Sequence, residues 1–529
     1  MSGGQAAEAP PAGLKPTARP GSILERTAHG AAWVIGWRLA TRLIGVINTL
    51  VLVRLLVPAD FGIVALGYSF VSSLDQLCTV GIEDAIVRAD RADRELYDTG
   101  FTLNLLRALA MGAALAAGAG AIARVFGDPR LEGIVLVFAA MTAVTGLTNI
   151  GTIDFRRYIA FDKEFVLQIV PRILSVGVAL TVGIVWRSYW ALVAGIASVT
   201  VLGVVFSYWM HPYRPRLAFG AWRRLAGFSL WMWVLGLISL LRSQTPILII
   251  GRLMGPTSVG ILSIGSEVAS LPTTELILPL TRASFPGFSE VRRSGDDGGA
   301  TFLRMLGAMA LITLPAGIGI SAVAFPVIKL AFGAAWMKAV PLVQILGVSG
   351  MLGLFGWISY TLFAAHAWMR PMAKMSGAAT IVCALLVALL GARFGLLGAA
   401  IGMAIADAFG QVVYLVATLR RLELRLMAVF ACVWRSLLAT AIMALVLACL
   451  RLGWTNVVGG GWVLGGRLLG AAAIGAAVYG VAVLGLWVVA GRPPGAETDL
   501  LAVAARMARR AGTLSGAVRG ALLGARRSA

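Results

Sequence analysis

Long uncharged apolar runs follow one another from about residue 31 to residue 490. A transmembrane helix needs about 20 consecutive apolar residues, because that length crosses the ~30 Å hydrocarbon core of a bilayer. The sequence therefore predicts an all-α, polytopic membrane protein of about fourteen transmembrane helices. The predicted spans are 31–56, 60–80, 100–123, 132–153, 166–186, 189–210, 226–250, 258–280, 302–325, 340–363, 372–392, 396–418, 429–450 and 462–490.

Composition excludes an ordinary soluble domain and several kinds of active site. Only 13% of the residues are charged and 59% are hydrophobic, whereas soluble domains have about 25% and 45–50%. The three histidines and four cysteines are scattered and lack the paired spacing of a metal site. No Gly-Lys dipeptide occurs, which excludes a phosphate-binding P-loop. We therefore expect no cofactor, no metal and no enzymatic activity.

Positive charge is distributed unevenly between alternate predicted loops. The chain has 45 Lys and Arg against 24 Asp and Glu, and most of the cations fall in the N-terminal tail and in every second loop. Because short cytoplasmic loops collect Lys and Arg, this pattern predicts that both termini are cytoplasmic. The loop at 81–99 fits least well, since its acids outnumber its arginines.

A short motif at the end of the first predicted span recurs later in the chain. Five residues return at one constant offset: Arg54, Leu55, Pro58, Gly62 and Gly67 correspond to Arg252, Leu253, Pro256, Gly260 and Gly265. The offset contains about six spans, an even number, so both copies enter the membrane in the same orientation. The repeat therefore predicts two lobes related by a pseudo-twofold axis along the membrane normal, a geometry suited to alternating access.

The repeat sets the predicted domain boundaries. They are a disordered cytoplasmic tail (1–29), an N-lobe of helices 1–6 (30–224), a C-lobe of helices 7–12 (225–420), helices 13–14 (421–490) and a basic cytoplasmic tail (491–529). In that last tail, apolar residues at helical spacing alternate with arginines over 499–527. This pattern suits an amphipathic helix on an anionic membrane surface. A frayed basic tail is the alternative.

The segment around the first copy of the repeat, Arg54-Leu-Leu-Val-Pro-Ala-Asp-Phe-Gly-Ile-Val-Ala-Leu, resembles a known family. Further similar stretches begin at Ile153, Ser188, Ile250 and Leu271. Over roughly 30–490 the chain is similar to the polysaccharide transporter branch of the multidrug/oligosaccharidyl-lipid/polysaccharide exporter superfamily. One departure concerns the residues before the second Gly-Arg, where many relatives carry an Asp and this chain has Ser243-Gln244-Thr245-Pro246. A coupling role for that acid is therefore not carried over.

The resemblance implies a flippase that moves undecaprenyl-diphosphate-linked oligosaccharides across the bacterial inner membrane. The products would serve capsule, lipopolysaccharide O-antigen or exopolysaccharide assembly. It also implies glycosyltransferases upstream and a polysaccharide polymerase or export machinery downstream as partners, together with membrane lipid and without nucleic acid.

Arginines inside the predicted spans are the candidates for the lipid diphosphate. Arg38 and Arg42 share one face of the first helix at i, i+4 spacing, at depths of roughly 10 and 16 Å if that helix starts near Ala31. An Arg at the bilayer centre costs about 2.5–3.5 kcal/mol, which a wet or anionic cavity would offset. Arg242 and, more weakly, Arg107 complete the set, because a guanidinium matches phosphate oxygens in a bidentate way. The alternative for Arg38 and Arg107 is snorkelling to the surface.

Four acids also fall inside predicted spans: Asp75, Glu267, Glu275 and Asp407. They suit either counter-ions for these arginines or proton or sodium coupling. Asp75 and Glu267 occupy equivalent second helices of the two predicted lobes, so they are the better pair for either role.

Two other functions remain as alternatives to a flippase. A drug/cation antiporter of the same superfamily would favour buried acids, whereas the first helix offers arginines. An integral-membrane glycosyltransferase or polymerase would need an acidic site such as Glu83-Asp84. The charge distribution assigns that pair to a cytoplasmic loop, where a solvated position is the simpler interpretation.

Overall fold

Helices make up the regular structure of the described residues in a computed structural model of the protein. The model describes residues 23–78, 82–88, 93–158, 160–222, 230–294, 298–456, 460–493 and 495–498. The helices in that part of the chain are α1 (Ile23–Leu55), α2 (Pro58–Cys78), α3 (Ile82–Arg88), α4 (Arg94–Phe126), α5 (Arg130–Thr145), α6 (Asp154–Arg157), α7 (Phe161–Trp186), α8 (Trp190–Met210), α9 (Leu230–Ser294), α10 (Gly298–Ala322), α11 (Ala324–Ala331), α12 (Val340–Ala365), α13 (Met369–Arg421), α14 (Leu426–Cys449) and α15 (Gly461–Val489).

The predicted spans overlap helices, and two long helices each overlap two predicted spans, but the predicted span 132–153 runs past the end of α5 at Thr145 into a bent segment. Within the described residues, nine helices are long and apolar enough to cross a membrane, or ten if the bent pair Arg130–Thr145 and Ile150–Arg157 forms one span. The long helices α9 and α13 are interrupted at Gly255 (φ 78°) and Gly395 (φ 64°), where the positive φ ends one helical segment and starts the next. The prediction of an all-α membrane protein is confirmed.

Two segments of the chain depart from the sequence prediction. Helix α1 begins at Ile23, so residues 23–29, expected in a disordered tail, are helical. No proline follows Pro20 until Pro58, so nothing in that stretch blocks the helix from starting early. A second correction is α3, a helix within the predicted loop at 81–99. The predicted amphipathic segment 499–527 and residues 1–22 lie outside the described residues.

The chain divides into two compact units. Unit 1 contains Met1–Ile264, Ala331–Trp336 and Thr380–Ala399, and unit 2 contains Gly265–Leu330, Met337–Ala379 and Ala400–Ala529. These units differ from the lobes expected from the repeat, because the first part of α9 belongs to unit 1. In unit 1, α4 packs along α5 and α7 along α8; in unit 2, α10 packs along α12 and α14.

The two copies of the repeat contact each other within unit 1. In both copies a helix ends and the next begins at a proline, Pro58 or Pro256. A Cβ added to Gly62 would lie 1.7 Å from the carbonyl oxygen of Pro256, and one added to Gly260 would lie 2.0 Å from that of Pro58. The contact is therefore reciprocal: each glycine permits the other copy's backbone to approach, which explains why both motifs contain it.

A buried polar cluster joins the ends of several helices in unit 1, on the side predicted to be cytoplasmic. Asp98 accepts hydrogen bonds from the Tyr213 hydroxyl at 2.6 Å and from the Arg216 amide at 2.7 Å. Asp154 accepts one from the Tyr97 hydroxyl and lies 3.4 Å from Nε2 of His211. Burial and the bond to Asp98 raise the pKa of the Tyr213 phenol. The cluster thus buries Asp98, one of the acids of the predicted loop at 81–99, between helix ends.

Unit 2 has an apolar core and a buried ion pair. Phe302, Leu306 and Leu362 belong to the core formed by α10, α12 and α14. Arg435 of α14 contacts Glu497 through two hydrogen bonds, of 2.7 and 3.1 Å, and the two side chains are only 9% and 4% exposed. This pair fixes residues 495–498 against α14, although the sequence placed Glu497 in a cytoplasmic tail.

Candidate functional site

Two arginines lie at the contact between α1 and α7 in unit 1. Arg42 is half-buried on α1. One turn further along α1, a Cβ added to Gly45 would lie 3.7 Å from Nη2 of Arg172, which belongs to α7. The Arg172 guanidinium therefore lies against the same region of α1 as Arg42. Cations on two neighbouring apolar helices attract an anion.

Arg172 is a candidate site residue that sequence reasoning missed. It lies eleven positions after the start of α7, roughly 16 Å along the helix axis. Its side chain is exposed, which leaves the guanidinium accessible to a ligand. The signal was present, because an ionisable residue inside a predicted span is the same criterion that selected Arg42.

The structure brings a second pair of predicted residues together: Arg107 and Asp75. Nη1 of Arg107 on α4 lies 3.4 Å from Oδ1 of Asp75 on α2. The side chains are 25% and 59% exposed, so this ion pair is accessible to solvent or lipid headgroups rather than sealed in the core. In this structure Asp75 is a counter-ion to Arg107.

Replacing Asp75 by asparagine should barely change stability. An ion pair with one partner 59% exposed contributes at most about 1 kcal/mol, because solvent screens the charges. We expect the thermal unfolding midpoint of the detergent-solubilised variant to stay close to that of the unaltered protein. A large drop would show that the carboxylate has a structural role beyond this contact.

A polar contact joins α2 to α9 one turn from Asp75. Nε2 of Gln244 donates to Oγ of Ser72 at 3.0 Å, and Oε1 of Gln244 is buried without a hydrogen-bond partner among the described residues. Gln244 thus occupies the region where relatives were expected to carry an Asp, and it bonds to α2 instead. Arg242 is half-buried on the same helix. Residues two positions apart on a helix do not share a face, so the side chain of Arg242 is separated from that of Gln244.

The remaining predicted site residues belong to unit 2 or have side chains outside the described residues. Glu267 is exposed on α9 and belongs to unit 2. Asp407, half-buried on α13, accepts a 3.4 Å hydrogen bond from Ser349 of α12, also within unit 2. The side chains of Arg38 and Glu275 lie outside the described residues, although both positions are helical.

The fold is shared with solved membrane transporters. The structure is similar to the lipid II flippase MurJ in an inward closed conformation, with a TM-score of 0.63, 12% identity, and coverage of 86% of this chain and 99% of that chain. It is also similar to an inward-facing multidrug resistance transporter of the MATE family and the MOP superfamily, with a TM-score of 0.59, 16% identity, and coverage of 72% and 94%. At these identities the similarity concerns the fold.

Curated relatives are named for polysaccharide biosynthesis. The succinoglycan biosynthesis transport protein ExoT of Rhizobium meliloti is 23% identical over 301 residues, which cover 56% of this chain and 61% of the relative. The match therefore spans less than two thirds of that relative. The lipopolysaccharide biosynthesis protein WzxC of Escherichia coli is 23% identical over 346 residues, covering 63% of this chain and 69% of the relative.

A family model agrees with these relatives and with the resemblance found in the sequence. The model described as "Polysaccharide biosynthesis protein" matches residues 51–341, which is more than half of the chain. This range includes both copies of the repeat and the pair of Asp75 and Arg107. The chain belongs to the polysaccharide biosynthesis protein family.

Proposed function

We propose that this protein is a flippase that moves a lipid-diphosphate-linked oligosaccharide across the bacterial inner membrane by alternating access. The product serves exopolysaccharide, capsule or lipopolysaccharide biosynthesis. The protein acts as a transporter rather than an enzyme, spans the inner membrane many times and has both termini in the cytoplasm. A polyprenyl-diphosphate-linked oligosaccharide is the substrate, and a polysaccharide polymerase or export machinery is the downstream partner.

The observation that carries this proposal is the pair of arginines at the contact between α1 and α7. Arg42 is half-buried, and the Arg172 guanidinium lies beside Gly45, one turn from Arg42. Two guanidinium groups can bind the oxygens of a diphosphate in a bidentate way. The diphosphate in turn offsets the cost of keeping cations within apolar helices. The names of the relatives, with their transport and lipopolysaccharide roles, support the same substrate class.

Arg107 and Asp75 form a secondary part of this site. When no substrate is present, Asp75 neutralises Arg107 at 3.4 Å. A diphosphate that approaches Arg107 competes with the carboxylate, which is exposed enough to move away into water. Arg38 and Arg242 are further diphosphate ligands in this proposal. Asp75, Glu267, Glu275 and Asp407 serve as counter-ions or as coupling groups for a proton or sodium gradient.

A drug/cation antiporter is the second candidate, because the fold is also similar to a multidrug resistance transporter. The flippase substrate carries an anionic diphosphate, whereas the antiporter substrate is a cation. The charge of the binding site therefore distinguishes the two candidates. An organic cation requires acids that are not already paired with arginines, and the predicted site acid in unit 1, Asp75, contacts Arg107. The arginines Arg42 and Arg172 repel a cation. The flippase is therefore the better proposal.

Reconstitution into proteoliposomes tests the two candidates directly. We expect the purified protein to move the headgroup of a fluorescent polyprenyl-diphosphate oligosaccharide between leaflets, with fluorescence quenching by added dithionite as the readout. An otherwise identical glycolipid without the diphosphate should move much more slowly. Transport of ethidium, a cationic dye, in place of the diphosphate lipid would overturn the proposal in favour of the antiporter.

A further inference from the structure

A cavity of about 510 Å³ lies in unit 2, far along the chain from the arginines of α1 and α7. Its size falls within the range of small-molecule sites, roughly 300–1,000 Å³. Residues from three parts of the unit line it: Phe325 of α11, Val340 and Gln344 of α12, Met337 just before α12, and Trp454 and Asn456 after α14.

Trp454 is held in the cavity wall by two hydrogen bonds. Its backbone N–H donates to the carbonyl of Ala322 at 2.9 Å, and its indole Nε1–H donates to Oγ of Ser321 at 3.1 Å. Its backbone has a φ of 51°, in the left-handed region that non-glycine residues adopt at a cost. The indole N–H is already hydrogen-bonded to Ser321, while 38% of Trp454 remains exposed. The ring therefore offers a ligand an apolar face in a fixed position.

Amide groups supply the polar part of the lining. Gln344 is half-buried and Asn456 is exposed. Each amide carries one acceptor oxygen and two N–H donors, so each can bond to two neighbouring hydroxyl groups. None of the described residues that line the cavity carries a charge. The chemistry therefore suits a neutral, hydroxyl-rich ligand and not a phosphate.

We propose that this cavity is a saccharide-binding subsite. The C–H face of a pyranose ring packs on the Trp454 indole, and the sugar hydroxyls bond to Gln344 and Asn456. The cavity lies at the end of α10, at the start of α12 and after α14, which the arginine distribution assigns to the side away from the cytoplasm. This inference rests on the proposed function: the subsite receives neutral sugar residues of the glycan after the headgroup has crossed the membrane.

Binding of soluble sugars tests the subsite without requiring transport. Saturation-transfer difference NMR on the full-length protein in nanodiscs should detect cellobiose and N,N′-diacetylchitobiose, and sodium diphosphate should not compete with them. Gln344→Ala should weaken binding about fivefold, as expected for one or two lost neutral hydrogen bonds. Trp454→Ala should abolish binding.

A control substitution at a second tryptophan distinguishes loss of the binding site from loss of the fold. Trp462 is 97% exposed at the start of α15 and does not line the cavity, so Trp462→Ala should leave binding unchanged. Thermal unfolding shows whether Trp454→Ala still folds, and Gln344→Ala provides the decisive variant if it does not. The proposal is overturned if neither disaccharide binds, if Gln344→Ala binds as tightly as the unaltered protein, or if diphosphate displaces the sugars. Sugar binding by a protein that fails to move lipid headgroups would refute the flippase proposal while leaving the subsite intact.

Discussion

Replacing Gly62 by alanine should prevent the protein from folding stably. The added Cβ would lie 1.7 Å from the Pro256 carbonyl oxygen and 2.8 Å from the Gly260 backbone nitrogen. Both obstacles are backbone atoms of a crossing helix, so they cannot rotate away as a flexible side chain could. Separating the helices would also open the packing around them, at a cost of at least about 3 kcal/mol. Gly260→Ala should have a comparable effect, because its Cβ would lie 2.0 Å from the Pro58 carbonyl oxygen.

Size-exclusion chromatography of fluorescently tagged variants in detergent, combined with thermal unfolding, measures this effect. Gly236→Ala is the matched control, because Gly236 also lies in α9 and a Cβ there meets nothing within 4 Å. Removing a glycine from an open helical position should leave stability unchanged or raise it by up to about 1 kcal/mol. If Gly62→Ala and Gly260→Ala behave like Gly236→Ala, the two copies of the repeat do not cross as described.

Replacing Glu497 alone by leucine should destabilise unit 2 by about 3–5 kcal/mol. The change leaves the Arg435 guanidinium, only 9% exposed, without its carboxylate partner. Breaking a buried ion pair by removing one partner is costly, because an uncompensated charge stays away from water. We therefore expect a large decrease in the thermal unfolding midpoint of the Glu497→Leu variant.

A variant with both residues of the pair replaced shows whether the loss of stability comes from breaking the ion pair or from the change at residue 497 itself. Apolar residues that replace both members of a buried pair are often neutral or stabilising, since the desolvation cost disappears with the charges. Arg435→Leu combined with Glu497→Leu should therefore recover most of the stability lost by either single change. Additive losses in the double variant would mean that the two residues do not act as a pair.

Much of the fold was predictable because a bilayer imposes a simple length rule on apolar segments. The predicted spans overlap helices, although 132–153 is broken after Thr145, and the spans predicted from 60 and 258 begin close to the helical segments that start at Pro58 and Pro256. Helix α3 was missed because its seven residues are shorter than a span and are flanked by charge. The position of Glu497 was also missed, since only the folded chain shows that Arg435 needs a partner.

The candidate site was less predictable than the fold, because periodicity gives the face of a helix and not its neighbour. The sequence identified Arg42, Arg107 and Asp75, and the structure adds that Asp75 contacts Arg107 while Arg42 lies near Arg172. These pairs form because their helices pack together, and no local pattern in the sequence shows which helices do so. Predictions that involve the side chains of Arg38 and Glu275 stay predictions.

Headgroup translocation by the Arg42→Ala variant tests the central claim most directly. We expect the rate for a polyprenyl-diphosphate oligosaccharide in proteoliposomes to fall at least about tenfold, because a desolvated charge-assisted contact is lost. Arg393→Ala is the matched control, since Arg393 is exposed and contacts the ring of its neighbour Phe394, and its rate should match that of the unaltered protein. Unchanged translocation by a folded Arg42→Ala protein would contradict a diphosphate site at α1 and α7.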